Sequence, residues 1–132
     1  MTPEPVIVKP DISVAEALAR LREPDITAAI SAQIFVVQPP TQTPTGAFLG
    51  TVDIRRLLRE PPSTLVGRLI DPNERDFVLP NMPEVSVAKR LASRNTLAIA
   101  VCDEGGRLLG AITVDDMLDH LLPEDWRMGA RQ

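Results

Sequence analysis

Hydrophobic positions recur along this chain in two rhythms, one of period 3.6 and one of strand type, and the pair occurs twice. Ser13, with Glu16 three residues on, is a helix-start signature, and Val14, Ala17, Leu18 and Leu21 then fall on one apolar face. "IFVVQ" (34–38) is rich in β-branched and aromatic residues and predicts a strand, as does "AFLGTV" (47–52). A helix is expected from Ile54, with Leu57 and Leu58 facing inward, until "REPPS" stops it. The second round begins with a short strand "DFVL" (76–79) and a helix from Val85. Strands "LAIAVC" (97–102) and "RLLGAIT" (107–113) follow, joined by the tight turn "DEGG" (103–106). A last helix starts at Val114 and carries an apolar stripe of Val114, Met117, Leu118, Leu121 and Leu122. "STLVGRLI" (63–70) predicts a further helix joining the two rounds.

The rhythm repeats because the sequence does. "SVAEALARL" (13–21) resembles "SVAKRLASR" (86–94), and "GAFLGTVDIRRLL" (46–58) resembles "GRLLGAITVDDML" (106–118), with Gly50 matching Gly110. The first copy is the longer, and part of its excess lies in the Pro/Thr-rich "QPPTQTPTG" (38–46), an enlarged hairpin tip. The expected architecture is an α/β sandwich of two β-α-β-β-α repeats related by pseudo-two-fold symmetry. The first repeat spans 1–65, and the second spans 66–132 with a C-terminal tail.

Composition narrows the chemistry. The 132 residues are 44% hydrophobic but only 3% aromatic, so the core must come from Val, Ile, Leu and Ala. A net charge of −4 gives no electrostatic reason to bind nucleic acid. Cys102 is the single cysteine, which excludes an intramolecular disulfide, and it is expected as inert packing. No apolar run approaches the roughly eighteen residues of a membrane span, and "MTPEPV" lacks signal-peptide character, so a soluble cytosolic chain is expected. His120 is the sole histidine, and no serine, cysteine or second histidine is spaced to form a triad with it. No phosphate-loop pattern occurs, and an enzyme is not expected.

Two copies of a roughly sixty-residue unit, each ending in a strand, a glycine and a polar strand-to-helix junction, resemble a tandem CBS pair, or Bateman module. The residues that carry the resemblance are "GAITVDD": Gly110, Thr113 and Asp116, as in the family's G-h-h-[ST]-x-x-D signature. "MTPEPVIVKPDISVAEAL" and "GRLLGAITVDDMLDHLLPEDW" further look like the cytosolic CBS region of MgtE-type magnesium transporters. That resemblance implies a regulatory, ligand-sensing module that binds an adenine nucleotide such as ATP and modulates magnesium transport. It places the pair between an N-terminal helical domain and a membrane transport domain, neither of which is expected within this chain. The alternative is a dimerisation scaffold that binds no ligand.

Thr113 and Asp116 suit two roles. As N-cap and N3 they form a capping box, and Asp115 and Asp116 suit the positive end of the helix dipole. In the resemblance, the threonine and aspartate stand at the cleft between repeats, and the carboxylate accepts hydrogen bonds from ribose hydroxyls. The adenine face is then expected against Val78, Leu79 and Pro80 and against Leu97, Ala98 and Ile99. The first copy departs from the signature, with Asp53 where Thr113 stands and Arg56 where Asp116 stands. Asp53 can still cap a helix, whereas Arg56 has no acceptor atom for a ribose, though it could contact phosphate. One competent nucleoside site is therefore expected.

Asp115, Asp116 and Asp119 align with Arg55, Arg56 and Arg59. These are either ordinary solvated faces or complementary faces of a homodimer through helices 54–60 and 114–122. Opposite signs favour a head-to-tail pair, whereas the resemblance implies head-to-head. Asp115 and Asp119, with Asp103, Glu104, Glu124 and Asp125, are candidates for weak Mg²⁺ binding. The terminal "PEDWRMGARQ" reads as a frayed tail, with Trp126 anchoring its start.

Overall fold

A computed structural model describes residues 5–23, 32–71, 75–94 and 96–121, excepting the side chains of 119–121. The expectations for Leu121, Leu122, Glu124, Asp125, Trp126 and the side chains of Asp119 and His120 lie outside the described residues. The first repeat contributes β1 (Ile7–Val8), α1 (Val14–Leu21), β2 (Gln33–Val37), β3 (Phe48–Asp53) and α2 (Ile54–Arg59). The second contributes β4 (Phe77–Val78), α3 (Glu84–Arg94), β5 (Ala98–Cys102), β6 (Leu108–Thr113) and α4 (Val114–Leu121). Each repeat forms a three-stranded sheet, in order β1-β2-β3 or β4-β5-β6, with the first pair parallel and the second antiparallel. The expected β-α-β-β-α order is thus present twice in a mixed α/β fold.

Strand alternation builds the sandwich. All five residues of β2 are buried, because both of its faces are covered. Ile34 and Val36 pack with Val14, Ala17 and Leu57 in the first repeat's own core. Phe35 and Val37 point the other way, against Ala98, Ala100, Cys102 and Leu108 of the second repeat. β5 mirrors this arrangement, since Ile99 turns back to Val87, Leu91 and Met117. The two sheets therefore meet face to face, with alanines on β5 making room for the Phe35–Phe48 and Phe48–Phe77 ring pairs, each with centroids 6.3 Å apart.

Both repeats carry the same bulge. The register skips one residue between Val36/Val37 and again between Val101/Cys102, leaving Leu49 and Leu109 unpaired on β3 and β6. That extra residue lets Phe48 face the partner sheet while Val52 faces its own helices. The matched glycine of the first repeat, Gly50, sits at φ 150°, a conformation costly to residues with a Cβ.

Two elements differ from expectation. "STLVGRLI" forms only a single 3₁₀ turn over Val66–Leu69 instead of a helix. The N–H groups of Val66 and Gly67 donate to the carbonyls of Ile12 and Pro10 at 2.9 Å, so they are unavailable for helical bonds. Leu57 is fully buried as expected, but Leu58 is 62% exposed. Adjacent helical positions diverge by about 100°, and a six-residue helix lying on the core buries one of them. Along α4, Met117 is buried and Val114 partly so, while Leu118 is 47% exposed.

The segment 38–46 between β2 and β3 closes back on the second repeat. Thr45 is buried, its N–H donating to Leu108 O and its Oγ1 accepting from Leu108 N, both at 3.1 Å. At Gly46 an added Cβ would lie 2.3 Å from Gln38 O, so no larger residue fits that approach.

Candidate functional site

The first repeat's strand-to-helix junction opens onto a cleft of about 420 Å³. One wall is the end of β3, from Gly50 to Asp53, continuing into Arg55 and Arg56 at the start of α2. Ile70 and Asp71, leaving the 3₁₀ turn, form a second side. The second repeat supplies the third, with Asp76, Arg94, Thr96 and the strand Ala98–Ala100. The two repeats thus enclose the cleft jointly.

Gln33 lies at the seam between them, only 8% exposed. Its Nε2 donates to Ala98 O at 3.0 Å, and its Oε1 accepts from Thr96 Oγ1 at 3.3 Å. The same hydroxyl also lies 3.0 Å from Ala98 O, so one proton serves two acceptors. A buried carboxamide from one repeat is therefore satisfied by the backbone and a side chain of the other.

Charges around the cleft are mostly paired. Asp53 caps α2, accepting from Arg55 N at 2.8 Å and from the Arg55 side chain at 3.2 Å. The Arg55 guanidinium holds the Asp53 carboxyl below the ordinary carboxylate value, partial burial opposing it. Asp76 is gripped by Arg90 at 2.7 Å and Arg94 at 3.1 Å. Arg56, exposed at the cleft wall, has neither an ion-pair nor a hydrogen-bond partner among the described residues. Among the described residues, the junction offers the anchored Asp53 carboxylate and the unpaired guanidinium of Arg56.

The other junction is closed upon itself. Thr113 is buried and pairs through β6 with Ala98. Its N–H and Oγ1 donate to Asp116 Oδ2 at 3.2 and 3.0 Å, and Oγ1 accepts from Asp116 N at 3.2 Å. This is the expected capping box, with both functions of the hydroxyl used. Of the expected apolar contacts, Ala98 and Ile99 line the cleft with Asp53 and Arg56, a lining that does not include Thr113 or Asp116. Leu97 belongs instead to an apolar groove with Ala88, Leu91 and Met117, between α3 and α4. Val78 is buried in the second repeat's core, with Leu79 half-buried and Pro80 exposed.

No group of three or more potential metal ligands occurs among the described residues. Asp115 is exposed and Asp103 accepts from Arg107 N at 2.9 Å in the "DEGG" turn. Gln33, Thr96, Asp76 and Arg94 were not among the expected site residues. A polar residue leading directly into an otherwise apolar strand, as in "QIFVV", was the available signal for Gln33.

The CBS domain profile matches residues 1–63 and 72–123. The chain therefore belongs to the CBS domain family, as a tandem pair. It is 34% identical over 124 residues to the magnesium transporter MgtE of Thermus thermophilus, a match covering 94% of this chain and 26% of that protein. A crystal structure of the cytosolic domain of the Mg²⁺ channel MgtE in complex with ATP superposes with a TM-score of 0.76 at 34% identity, covering 92% of this chain and 46% of that one. The soluble part of a magnesium transporter gives a TM-score of 0.76 at 26% identity, over 92% of this chain and 45% of that one. The chain thus spans about a quarter of the length of its curated relative. Among the described residues, no helix is long and apolar enough to cross a membrane.

Proposed function

We propose that this CBS pair is a cytosolic regulatory module of an MgtE-like magnesium transport protein, and that it binds an adenine nucleotide such as ATP between its repeats. The observation that carries the reading is the shared cleft: a ligand held by Asp53 and Arg56 of one repeat and Ala98–Ala100 of the other bridges the two. Occupancy then favours one relative arrangement of the repeats and biases whatever domain is attached. The ATP complex of a 34% identical MgtE cytosolic domain supports adenine nucleotide as the ligand class. The roles are those of binding and regulation, without a chemical step.

Thr113 and Asp116 remain the alternative ribose site, because they carry the family signature. The cleft is preferred because both repeats line it, while the Thr113 hydroxyl already donates to and accepts from Asp116. The exposed Leu58 and Leu118, together with the basic α2 and acidic α4, support a homodimer through these helices. The test is thermal unfolding of the chain with ATP, ADP and AMP, alongside Asp53→Ala and Asp116→Ala. Ligand at a hundred times its dissociation constant stabilises by about 2.7 kcal/mol, a shift of several degrees. A shift that survives Asp116→Ala and shrinks in Asp53→Ala supports the cleft. The converse moves the ligand to Thr113 and Asp116, and no shift in any form leaves a scaffold.

A further inference from the structure

The contacts that join the repeats differ between the two ends of the sandwich. Gln33 pairs with Asp53 and Ala98 with Thr113 at one end, while Val37–Phe48 and Cys102–Leu108 mark the other. Four residue steps along β2, about 13 Å, separate these ends. At the Leu108 end the backbones themselves are bonded. Thr45 N and Phe48 N donate to Leu108 O and Gly106 O at 3.1 and 2.8 Å, and Leu108 N donates to Thr45 Oγ1 at 3.1 Å. Arg75 Nη1 adds a bond to Phe48 O at 3.2 Å, and the Phe48–Phe77 ring pair packs beside it. At the other end the cleft lies between the sheets, and the Gln33 carboxamide reaches across to Ala98 O and Thr96 Oγ1.

We propose that Gln33 is a latch: its carboxamide holds the cleft end shut, and its release lets the repeats open about a hinge at Thr45 and Leu108. The two ends differ in what parting them costs. Separation at Leu108 strands N–H and C=O groups of fully buried residues and uncovers phenylalanine rings. Separation at Ala98 uncovers little apolar area, because the facing side chains of β5 there are alanines. The bonds released belong to one side chain, and the cleft lets water reach the freed groups. The Thr96 proton is moreover shared between Gln33 Oε1 and Ala98 O, so that arm of the latch is the weaker. The latch thus sets the gap between Asp53 and Ala98–Ala100, the quantity that any ligand held by both walls would select. The inference concerns the ligand-free chain and stands apart from the identity of the ligand.

Thiol labelling of the ligand-free chain tests it, because buried cysteines react only in opened molecules. Ala98→Cys, in a Cys102→Ala chain, places the thiol at the latch end of β5, and the native Cys102 stands at the hinge end; both positions are buried. Gln33→Met keeps the length of the side chain and removes the carboxamide. It should speed labelling at position 98 about tenfold, the scale of the net hydrogen bonds lost, and leave Cys102 unchanged. Ala100→Cys, between the two, should respond less than Ala98→Cys. Thr96→Val, which removes the weaker arm alone, should give an intermediate acceleration at position 98. It also carries the test if Gln33→Met fails to fold. Equal acceleration at positions 98 and 102 would mean that Gln33 supports the whole fold, and unchanged labelling at 98 would mean that it holds nothing shut; either overturns the proposal. A chain that binds no nucleotide but labels in this pattern strikes the nucleotide reading and keeps the latch.

Discussion

Buried polar groups tie the two repeats together at single residues. Thr45 is the clearest, because its hydroxyl accepts from the N–H of the fully buried Leu108. Thr45→Val keeps the shape and removes the acceptor, stranding that N–H, and should lower unfolding stability by about 1–3 kcal/mol in urea titrations. Thr45→Ser, which retains the hydroxyl, should lose markedly less. Cys102 behaves differently. Burial, assisted by the negative Asp103 nearby, pushes its thiol up to about 12. It should react with a disulfide reagent at pH 8 only after unfolding, and fast labelling of the native chain would contradict its place between the sheets. The sign of the linkage follows: the raised thiol adds stability that is full below about pH 8.5, the unfolded value, and is lost as pH climbs through about 12.

At the scale of elements, caps explain why the sequence pattern translated so directly. Ser13 accepts from Glu16 N at 3.1 Å and starts α1, and Thr113 and Asp116 start α4 in the same way. Ser13→Ala should cost about 1 kcal/mol, read as a lower urea midpoint with unchanged slope. These elements were legible because they depend on neighbours three or four residues away. The 3₁₀ turn at Val66–Leu69 was not, because its backbone donors are claimed by Pro10 and Ile12, far away in sequence. Leu58 misled for a related reason. Its apolar character suggested a buried face, and only the way the short α2 lies on the core exposes it.

For the whole molecule, the repeat specified two sheets, and strand alternation explains why they share a core. Which junction opens onto the cleft was less legible. The signature points to Thr113 and Asp116, yet packing of β5 across the first repeat puts Ala98 and Ile99 beside Asp53 and Arg56. Nothing in either stretch alone records which faces come together, since that is decided by the sheet-to-sheet contact of Phe35, Val37 and Phe48 with Ala98, Ala100, Cys102 and Leu108. Gln33 shows the same dependence, being a strand-leading polar residue whose role exists only once Ala98 and Thr96 approach it.

The most direct measurement of the central claim is an amide NMR titration of the chain with ATP. Perturbations should concentrate at Gly50–Arg56, Ile70–Asp71 and Thr96–Ala100, with Thr113–Asp116 little changed. Perturbations centred on Thr113–Asp116 with a silent Asp53 and Arg56, or none at saturating ATP, would contradict it.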